Sequence, residues 1–293
     1  MSATSEQLVG RVVEAPTGRA GWGPLPRRRP ARRRPRVWAL RAPVPAGHRW
    51  ALVALSVAAP LAAWLLLSGS GQVNPRFLPS VQSVWSAGTE LAGSGQLLTD
   101  TWASVRRVLL GFGLAVVVSV PLGILMGSFR AGQALLEPVI GLLRYLPAAA
   151  FIPLLMIYLG LDEAPKIALL FLGSVFFNTL MTADAVRQVP TSLVDVSYTL
   201  GARRWEILRK VIVPHALPGM IDSIRVNGAA AWGLVVVAEL IAAEEGLGYR
   251  IARSARFTQT DKIFAVLVVI ALIGLVTDLL LRTARDRVGR WVP

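Results

Sequence analysis

The sequence predicts an all-α membrane protein that crosses the bilayer about six times. Apolar residues make up 54% of the chain and charged residues only 16%, and the mean hydropathy is +0.55. Several segments contain about 18 or more nearly uncharged residues, which is enough for a helix to cross a hydrocarbon core of about 30 Å. These apolar runs are continuous rather than alternating, so spanning helices are favoured over a spanning barrel.

The first segment, residues 1–49, is rich in Arg, Pro, Ala and Gly, with arginine triplets at 27–29 and 32–34. Such a composition cannot bury enough apolar surface to fold, so we predict a disordered basic tail in the cytoplasm. The tail would help to fix the topology, or it would tether the chain to anionic lipid or nucleic acid. A cleaved signal peptide is not expected, because the basic region is too long and no small-residue cleavage site follows it.

The membrane domain is predicted over residues 50–283, and a short basic tail follows at 284–293. Between the first two spans lies a polar stretch, about 69–100, with several Gly and Ser. The six predicted spans cover approximately 50–67, 105–126, 138–159, 167–186, 217–241 and 263–281.

The third span contains Pro147 and Pro153. Each proline removes a backbone donor and locally breaks a helix. The two breaks are either kinks needed for packing or hinges beside a solute path, where interrupted helices are common in transporters.

The distribution of basic residues predicts the orientation. Six spans place both termini on one side of the membrane. The segments on that side (the N-terminal tail, 129–144, 187–210 and the C-terminal tail) hold 22 of the 31 Lys and Arg residues. The positive-inside rule therefore places both termini in the cytoplasm.

Charged residues recur on one stripe of the fifth span. Asp222, Arg225, Trp232 and Glu239 are spaced by three, seven and seven residues, which aligns them along one side of a helix. We take Asp222, Arg225 and Trp232 as candidates for lining a translocation path, since charges at membrane depth usually face a path or the protein interior. The alternative is a local ion pair between Asp222 and Arg225 that stabilises the bundle. Glu239 is expected near the outer interface without a special role.

Enzymatic and metal chemistry are not expected. The chain has no cysteine and only two histidines, far apart, so we predict no metal site. No arrangement of nucleophile, base and acid is apparent, and we assign no catalytic residue. No GxxxxGK[ST] phosphate loop occurs, so we expect no cofactor in this chain and no ATP bound through that motif.

The loop 190–214 is the most patterned part of the chain. Pro190 should end the fourth helix, and a short helix is predicted over 192–200. Gly201 can end that helix in the left-handed conformation. A second short helix is predicted over 203–212, closed by Pro214.

The second loop helix is predicted to have one apolar side formed by Trp205, Leu208 and Ile212. Two short cytoplasmic helices with apolar and basic side chains could dock in the groove of a partner protein. The alternative is a pair of helices lying on the lipid surface.

The loop also resembles a known motif. Asp195-Val196-Ser197, three residues, Gly201, nine residues and then Val211-Ile212-Val213-Pro214 is similar to the "EAA" signature of ABC importer permeases, Glu-Ala-Ala, three residues, Gly, nine residues, Ile-x-Leu-Pro. Asp, Val and Ser replace the Glu and the two Ala, and Val replaces Ile and Leu. The segments LRYLPAAAFIPLLMIYLGLDEAPKIALLFLG and VVVAELIAAEEGLGYRIARSARF resemble permeases of nitrate, sulfonate, taurine and bicarbonate importers. The similarity covers approximately residues 75–290.

This resemblance implies a permease of the type I (MetI-like) importer class in the cytoplasmic membrane of a prokaryote. Two copies would form the pathway as a homodimer, and an external substrate-binding protein would deliver the solute. Each loop would sit in a cleft of an ATP-binding subunit, which binds the ATP. The residues assigned to this coupling are Asp195, Ser197, Gly201, Ala202, Trp205, Leu208 and Pro214.

Two other classes of function remain open at this point. One is a secondary transporter or channel driven by an ion gradient, which is disfavoured by the lack of similarity between the two halves of the chain. The other is a membrane-anchored nucleic-acid binder that uses the arginine tail, whereas the permease interpretation expects no nucleic acid.

Overall fold

The structure is a computed structural model, and it describes residues 44–290. Most of the predicted tail, residues 1–43, and the last three residues of the predicted C-terminal tail lie outside the described residues. The described residues divide into two units, with the boundary after Leu61. The described part of the first unit consists mainly of the first turns of helix α1, Ala46–Gly69, an apolar helix that contains Pro60.

The stretch 69–100, predicted to be a polar connection, instead contains helix α2, Val81–Gly93. The Ser80 side chain caps this helix by accepting a hydrogen bond from the Ser83 N–H at 3.2 Å. Val84, Ala87 and Leu91 are buried, and their spacing of three and four residues gives α2 one apolar face. The prediction missed this helix because its outer face is polar.

Helix α3, Gln96–Ser128, packs closely along helix α6, Ala164–Arg187. Gly111, Ala115, Ser119, Gly123 and Gly127 recur every four residues on α3. Small residues at this spacing let two helix backbones approach within a membrane. A methyl group at Gly123 would lie 2.5 Å from the Thr182 Cβ, so α6 leaves no room for a side chain there.

The third predicted span is a broken pair of helices. Helix α4, Arg130–Leu143, is followed by a short 3₁₀ helix, Ala148–Phe151, and by helix α5, Ile152–Leu159. The two halves are bent by 78°. Pro147 precedes the 3₁₀ helix, so the predicted break there is confirmed. The prediction for Pro153 was wrong: it lies in the first turn of α5, where a helix has no partner for its missing N–H, so it begins a helix rather than breaking one.

The remaining helices complete the bundle. Within residues 44–290, five helices are long and apolar enough to cross a membrane, and the broken pair makes up to six, so the prediction of about six spans is confirmed. In chain order the remaining elements are α7 Thr191–Thr199, α8 Arg204–Ile207, a π-helical turn Leu208–Ile212, α9 Val213–Ala242, α10 Leu247–Arg256 and α11 Thr260–Val288.

Candidate functional site

The predicted coupling segment, residues 190–214, begins with two short helices that meet at Gly201. Gly201 has φ +81°, the left-handed conformation expected from the sequence, and it ends α7. The Ser197 hydroxyl donates to the Leu193 carbonyl at 2.7 Å, so it stabilises the helix locally. Asp195 is exposed on α7 and Ala202 is half-buried.

The coupling segment does not have the single apolar side that was predicted for its second helix. Trp205 is 63% exposed, whereas Leu208 is 6% exposed. The buried Ile207 defines the inner side together with Leu208. Residues two positions apart on a helix point about 200° apart, so Trp205 is directed outward. Leu200 on the other side of the junction is 82% exposed.

Pro214 does not close the second helix, contrary to the prediction. A continuous helix runs over Arg204–Ile241, and the π turn Leu208–Ile212 comes just before the proline. A proline lacks the N–H and pushes against the carbonyl four residues back, and a π turn changes the hydrogen-bond register at that point. The coupling segment therefore passes directly into span α9.

The three residues predicted to line a translocation path, Asp222, Arg225 and Trp232, lie in two separate parts of the structure. The Arg225 Nη1 donates to Asp222 at 2.8 Å, so the alternative of a local ion pair is what the structure contains. Arg225 also donates to Asp278 of α11 at 2.9 Å, which ties two spans together. Trp232 lies apart from this cluster and packs in the core with Val108 and other apolar side chains. The role of these residues in a path stays a prediction.

Glu239, predicted near the outer interface without a role, is instead at the centre of a buried polar network. Its carboxylate accepts hydrogen bonds from the Arg107 Nη1 at 2.7 Å, the Ser104 hydroxyl at 2.8 Å and the Gly248 N–H at 2.8 Å. A buried charge of this kind is retained only when it is paired and hydrogen-bonded. The one signal in the sequence was the pair Ser104 and Arg107, three residues apart. The prediction placed this pair at the start of the second span.

The same network holds the start of helix α10. The Gly246 N–H donates to the Asp100 carboxylate at 2.9 Å, and the Leu247 N–H donates to the Ser104 hydroxyl at 2.9 Å. The first N–H groups of a helix have no partner within it, and here α3 and α9 supply those partners. Arg250 of α10 donates back to Asp100 at 2.6 Å. The connection between the last two spans is therefore fixed by side chains of α3 and α9.

Glu163, in the loop before α6, closes the network on its accessible side. The Arg107 Nη2 donates to its carboxylate at 2.6 Å, and the Lys166 Nζ donates to it at 3.1 Å. The hydrogen bond from Arg107 lowers the pKa of Glu163 to about 2, against the opposing effect of partial burial. Glu163 therefore carries a negative charge at neutral pH.

A cavity of about 430 Å³ lies where the third span breaks. Pro147 lines it from the break, Phe177 from α6 and Asn227 from α9. Arg144 also lines this cavity; the prediction counted it with the cytoplasmic segment 129–144 and also included it in the third span, 138–159. Helix α4 starts at Arg130 and continues for 14 residues, so Arg144 comes directly after its last residue.

Together these features are typical of a membrane-transport subunit: a set of long apolar helices, a cavity at a broken span and a patterned segment that continues into span α9. Residues 119–290 match the family described as "Binding-protein-dependent transport system inner membrane component". The chain belongs to this family. Its members are the permeases of ABC transporters and work with an ATP-binding subunit and a solute-binding protein. This membership decides for an ABC permease over a gradient-driven transporter.

The relatives include permeases that are named for the solute they transport. A "Probable ABC transporter permease protein" of Brucella melitensis biotype 1 is 39% identical over 81% of this chain and 95% of its own length. The taurine transport system permease protein TauC of Escherichia coli K12 is 34% identical over 83% of this chain and 92% of its own length. Permeases named for aliphatic sulfonates and for bicarbonate also match, so the predicted branch of the family is confirmed.

A solved structure supports the MetI-like fold. The inward-facing MetNI methionine ABC transporter aligns with 69% of this chain and 98% of the solved chain, at 22% identity and a TM-score of 0.56. The predicted fold class, an all-α permease of this architecture, is confirmed.

Proposed function

We propose that two copies of this chain form the membrane pathway of an importer for a small oxyanion of the nitrate, sulfonate, taurine or bicarbonate type. The solute class rests on the names of the relatives. The pathway brings the solute from an external binding protein into the cytoplasm. Both termini and the coupling segment lie on the cytoplasmic side, as the basic residues indicate.

The observation that carries the proposal is the form of the coupling segment. It presents Leu200 and Trp205 outward and continues without a break into span α9. Exposed aromatic and aliphatic side chains are typical anchors for a partner's pocket. An ATP-binding subunit that grips these side chains would move α9 directly, since a continuous helix transmits displacement along its axis.

In this division of labour the partner subunit binds and hydrolyses ATP, and this chain uses no cofactor of its own. Gly201 joins the two short helices, and Asp195, Ser197 and Ala202 shape the surface beside the junction. Pro147 would act as a hinge at the broken span, with Pro153 fixing the start of the helix beyond it.

The test is reconstitution of the complete transporter. The chain is co-expressed with the ATP-binding subunit and the binding protein encoded beside it, and proteoliposomes are assayed for uptake of radiolabelled taurine, ethanesulfonate, bicarbonate and nitrate. We expect uptake of at least one of these solutes, each of which carries an oxyanion group, and the uptake should need ATP and all three components. Gradient-driven uptake by this chain alone, or ATP-driven uptake only of solutes without an oxyanion group, would refute the proposal.

A further inference from the structure

Arg144 stands in an unusual position for a charged side chain. It follows α4, Arg130–Leu143, a helix that rises about 21 Å from its first residue at about 1.5 Å per residue. The break with α5 comes immediately afterwards, and the two helices together are long and apolar enough to cross a membrane. Arg144 therefore lies at the break between the two halves, away from the start of α4.

The guanidinium of Arg144 has only a neutral neighbour within the chain. Its Nη2 donates to the Tyr145 hydroxyl at 3.0 Å, and the side chain stacks over the Tyr145 ring at 4.9 Å. No carboxylate of the described residues lies within ion-pair distance of it. An arginine at membrane depth faces a partner charge, a water-filled path or the membrane surface.

The carboxylates well inside the described spans each have an arginine partner in their own chain, and none of them pairs with Arg144. Arg187 and Arg225 each serve two of these carboxylates. These pairs are Asp100–Arg250, Glu137–Arg187, Asp184–Arg187, Asp222–Arg225, Glu239–Arg107 and Asp278–Arg225.

The surroundings of Arg144 suit a small molecule. The cavity of about 430 Å³ that it lines has the size of ligand sites, which are mostly apolar with a few polar groups. Its walls include the aromatic rings of Tyr145 and Phe177 and the side chain of Asn227. The planar fork of an arginine suits a carboxylate or another oxyanion, because two parallel N–H groups can donate to two oxygens.

We propose that the Arg144 guanidinium binds the oxyanion group of the transported solute in the cavity at the broken third span. The bound solute supplies the negative charge that pairs with Arg144. The solute is released when α4 and α5 change their relative angle at the break. This inference deepens the proposed function and rests on it, because it needs an anionic solute.

The test compares variants of the complete, reconstituted transporter with the anion that the wild-type complex carries. Arg144→Gln removes the charge, Arg144→Lys keeps a charge without the fork, and Arg130→Gln at the start of the same helix is the matched control. We expect Arg144→Gln to lower the uptake per ATP hydrolysed by about tenfold or more, since a charge-assisted hydrogen bond is typically worth that factor. Arg144→Lys should be intermediate, Arg130→Gln should match the wild type, and solute-free ATP hydrolysis should be unchanged in all three.

A charge-rescue experiment separates the role of the charge from the role of the fold. The chain contains no cysteine, so Arg144→Cys provides its single thiol. Aminoethyl methanethiosulfonate adds an ammonium group there, and sulfonatoethyl methanethiosulfonate adds a negative group. We expect only the first reagent to restore uptake, and the wild-type complex treated in parallel reports reaction with the partner subunits.

Several results would overturn the inference. Wild-type uptake by Arg144→Gln would mean that the arginine reaches the membrane surface. Equal loss of uptake and of solute-free ATP hydrolysis, or loss of assembly with Arg144→Gln, would assign a structural role instead. Rescue by both reagents or by neither would also contradict it.

If the wild-type complex carries only solutes without an oxyanion group, the proposed solute class fails and the inference falls with it. If the wild-type complex carries an anion and Arg144→Gln carries it equally well, only the inference fails.

Discussion

Arg107 of α3 and Glu239 of α9 form an ion pair at 2.7 Å, and each residue is only 1% exposed. The pair joins two spans and, through Ser104 and Gly248, holds the start of α10. Removing one member of a buried pair leaves an uncompensated charge, whereas removing both leaves none. The effects of substitutions within this network on the free energy of unfolding should therefore not be additive.

The first prediction concerns this pair. Glu239→Gln should lower the free energy of unfolding by about 3–5 kcal/mol, because Arg107 loses its buried carboxylate partner and keeps only the partly exposed Glu163. The double variant with Arg107→Met should be less destabilised than the sum of the two single variants. Thermal unfolding in detergent measures both effects, with the exposed Glu244→Gln as the control. Additive effects of the two single variants would contradict a shared network.

The second prediction tests the close contact between α3 and α6. Gly123→Ala should destabilise the protein by about 1–3 kcal/mol, since its methyl group would meet Thr182 at 2.5 Å and the Thr179 carbonyl at 2.8 Å. Gly113→Ala on the same helix meets nothing within 4 Å and should be neutral or stabilising. The unfolding midpoints of the two variants give the comparison. Equal midpoints would show that the helices separate readily at Gly123.

The sequence predicted the spans because long apolar runs have few alternatives in a membrane. It could not place Glu239, since a carboxylate near the end of a span is equally compatible with the interface and with a buried partner such as Arg107 on another helix. Arg144 fell within both the cytoplasmic segment 129–144 and the third span 138–159, because the sequence does not show where α4 ends. Trp205 and Leu208 were predicted on one apolar side of the second loop helix. The side of that helix that is buried is set by packing of Ile207 against the bundle, which the sequence does not show.

The third prediction concerns acid stability and Glu163. Its pKa is lowered from 4.5 to about 2 by Arg107 and Lys166, so its ionised form stabilises the fold at neutral pH. This contribution should be complete above the unfolded pKa of about 4.5 and should disappear as the pH falls through the folded pKa of about 2. The unfolding midpoint of the wild type should therefore fall more steeply than that of Glu163→Gln between about pH 5 and about pH 3. Asp162→Gln, in the same loop, controls for the loss of a negative charge, and parallel curves for wild type and Glu163→Gln would contradict the prediction.

The fourth prediction concerns the junction of the coupling segment. Gly201→Pro should abolish ATP-driven uptake while the protein still inserts, because proline is restricted to φ near −65° and Gly201 has φ +81°. Gly71 has a similar φ of +69° in a different loop, so Gly71→Pro imposes the same backbone conflict away from the coupling segment. Uptake and membrane insertion are measured for both. Normal uptake by Gly201→Pro, or equal loss with Gly71→Pro, would argue against a special role for this junction.

The last prediction separates docking from folding within the coupling segment. Trp205 is exposed and Leu208 is buried, so truncating them should have opposite consequences. Trp205→Ala should weaken binding of the ATP-binding subunit by about thirtyfold, as expected for an aromatic anchor worth about 2 kcal/mol, with no change in the unfolding midpoint of the isolated chain. Leu208→Ala should instead lower the free energy of unfolding by about 2–5 kcal/mol through loss of buried contacts. Lys210→Ala, exposed on the same turn, is the control for both measurements. Unchanged subunit affinity for Trp205→Ala would place the docking surface elsewhere, and the exposed Leu200 would be the next side chain to truncate.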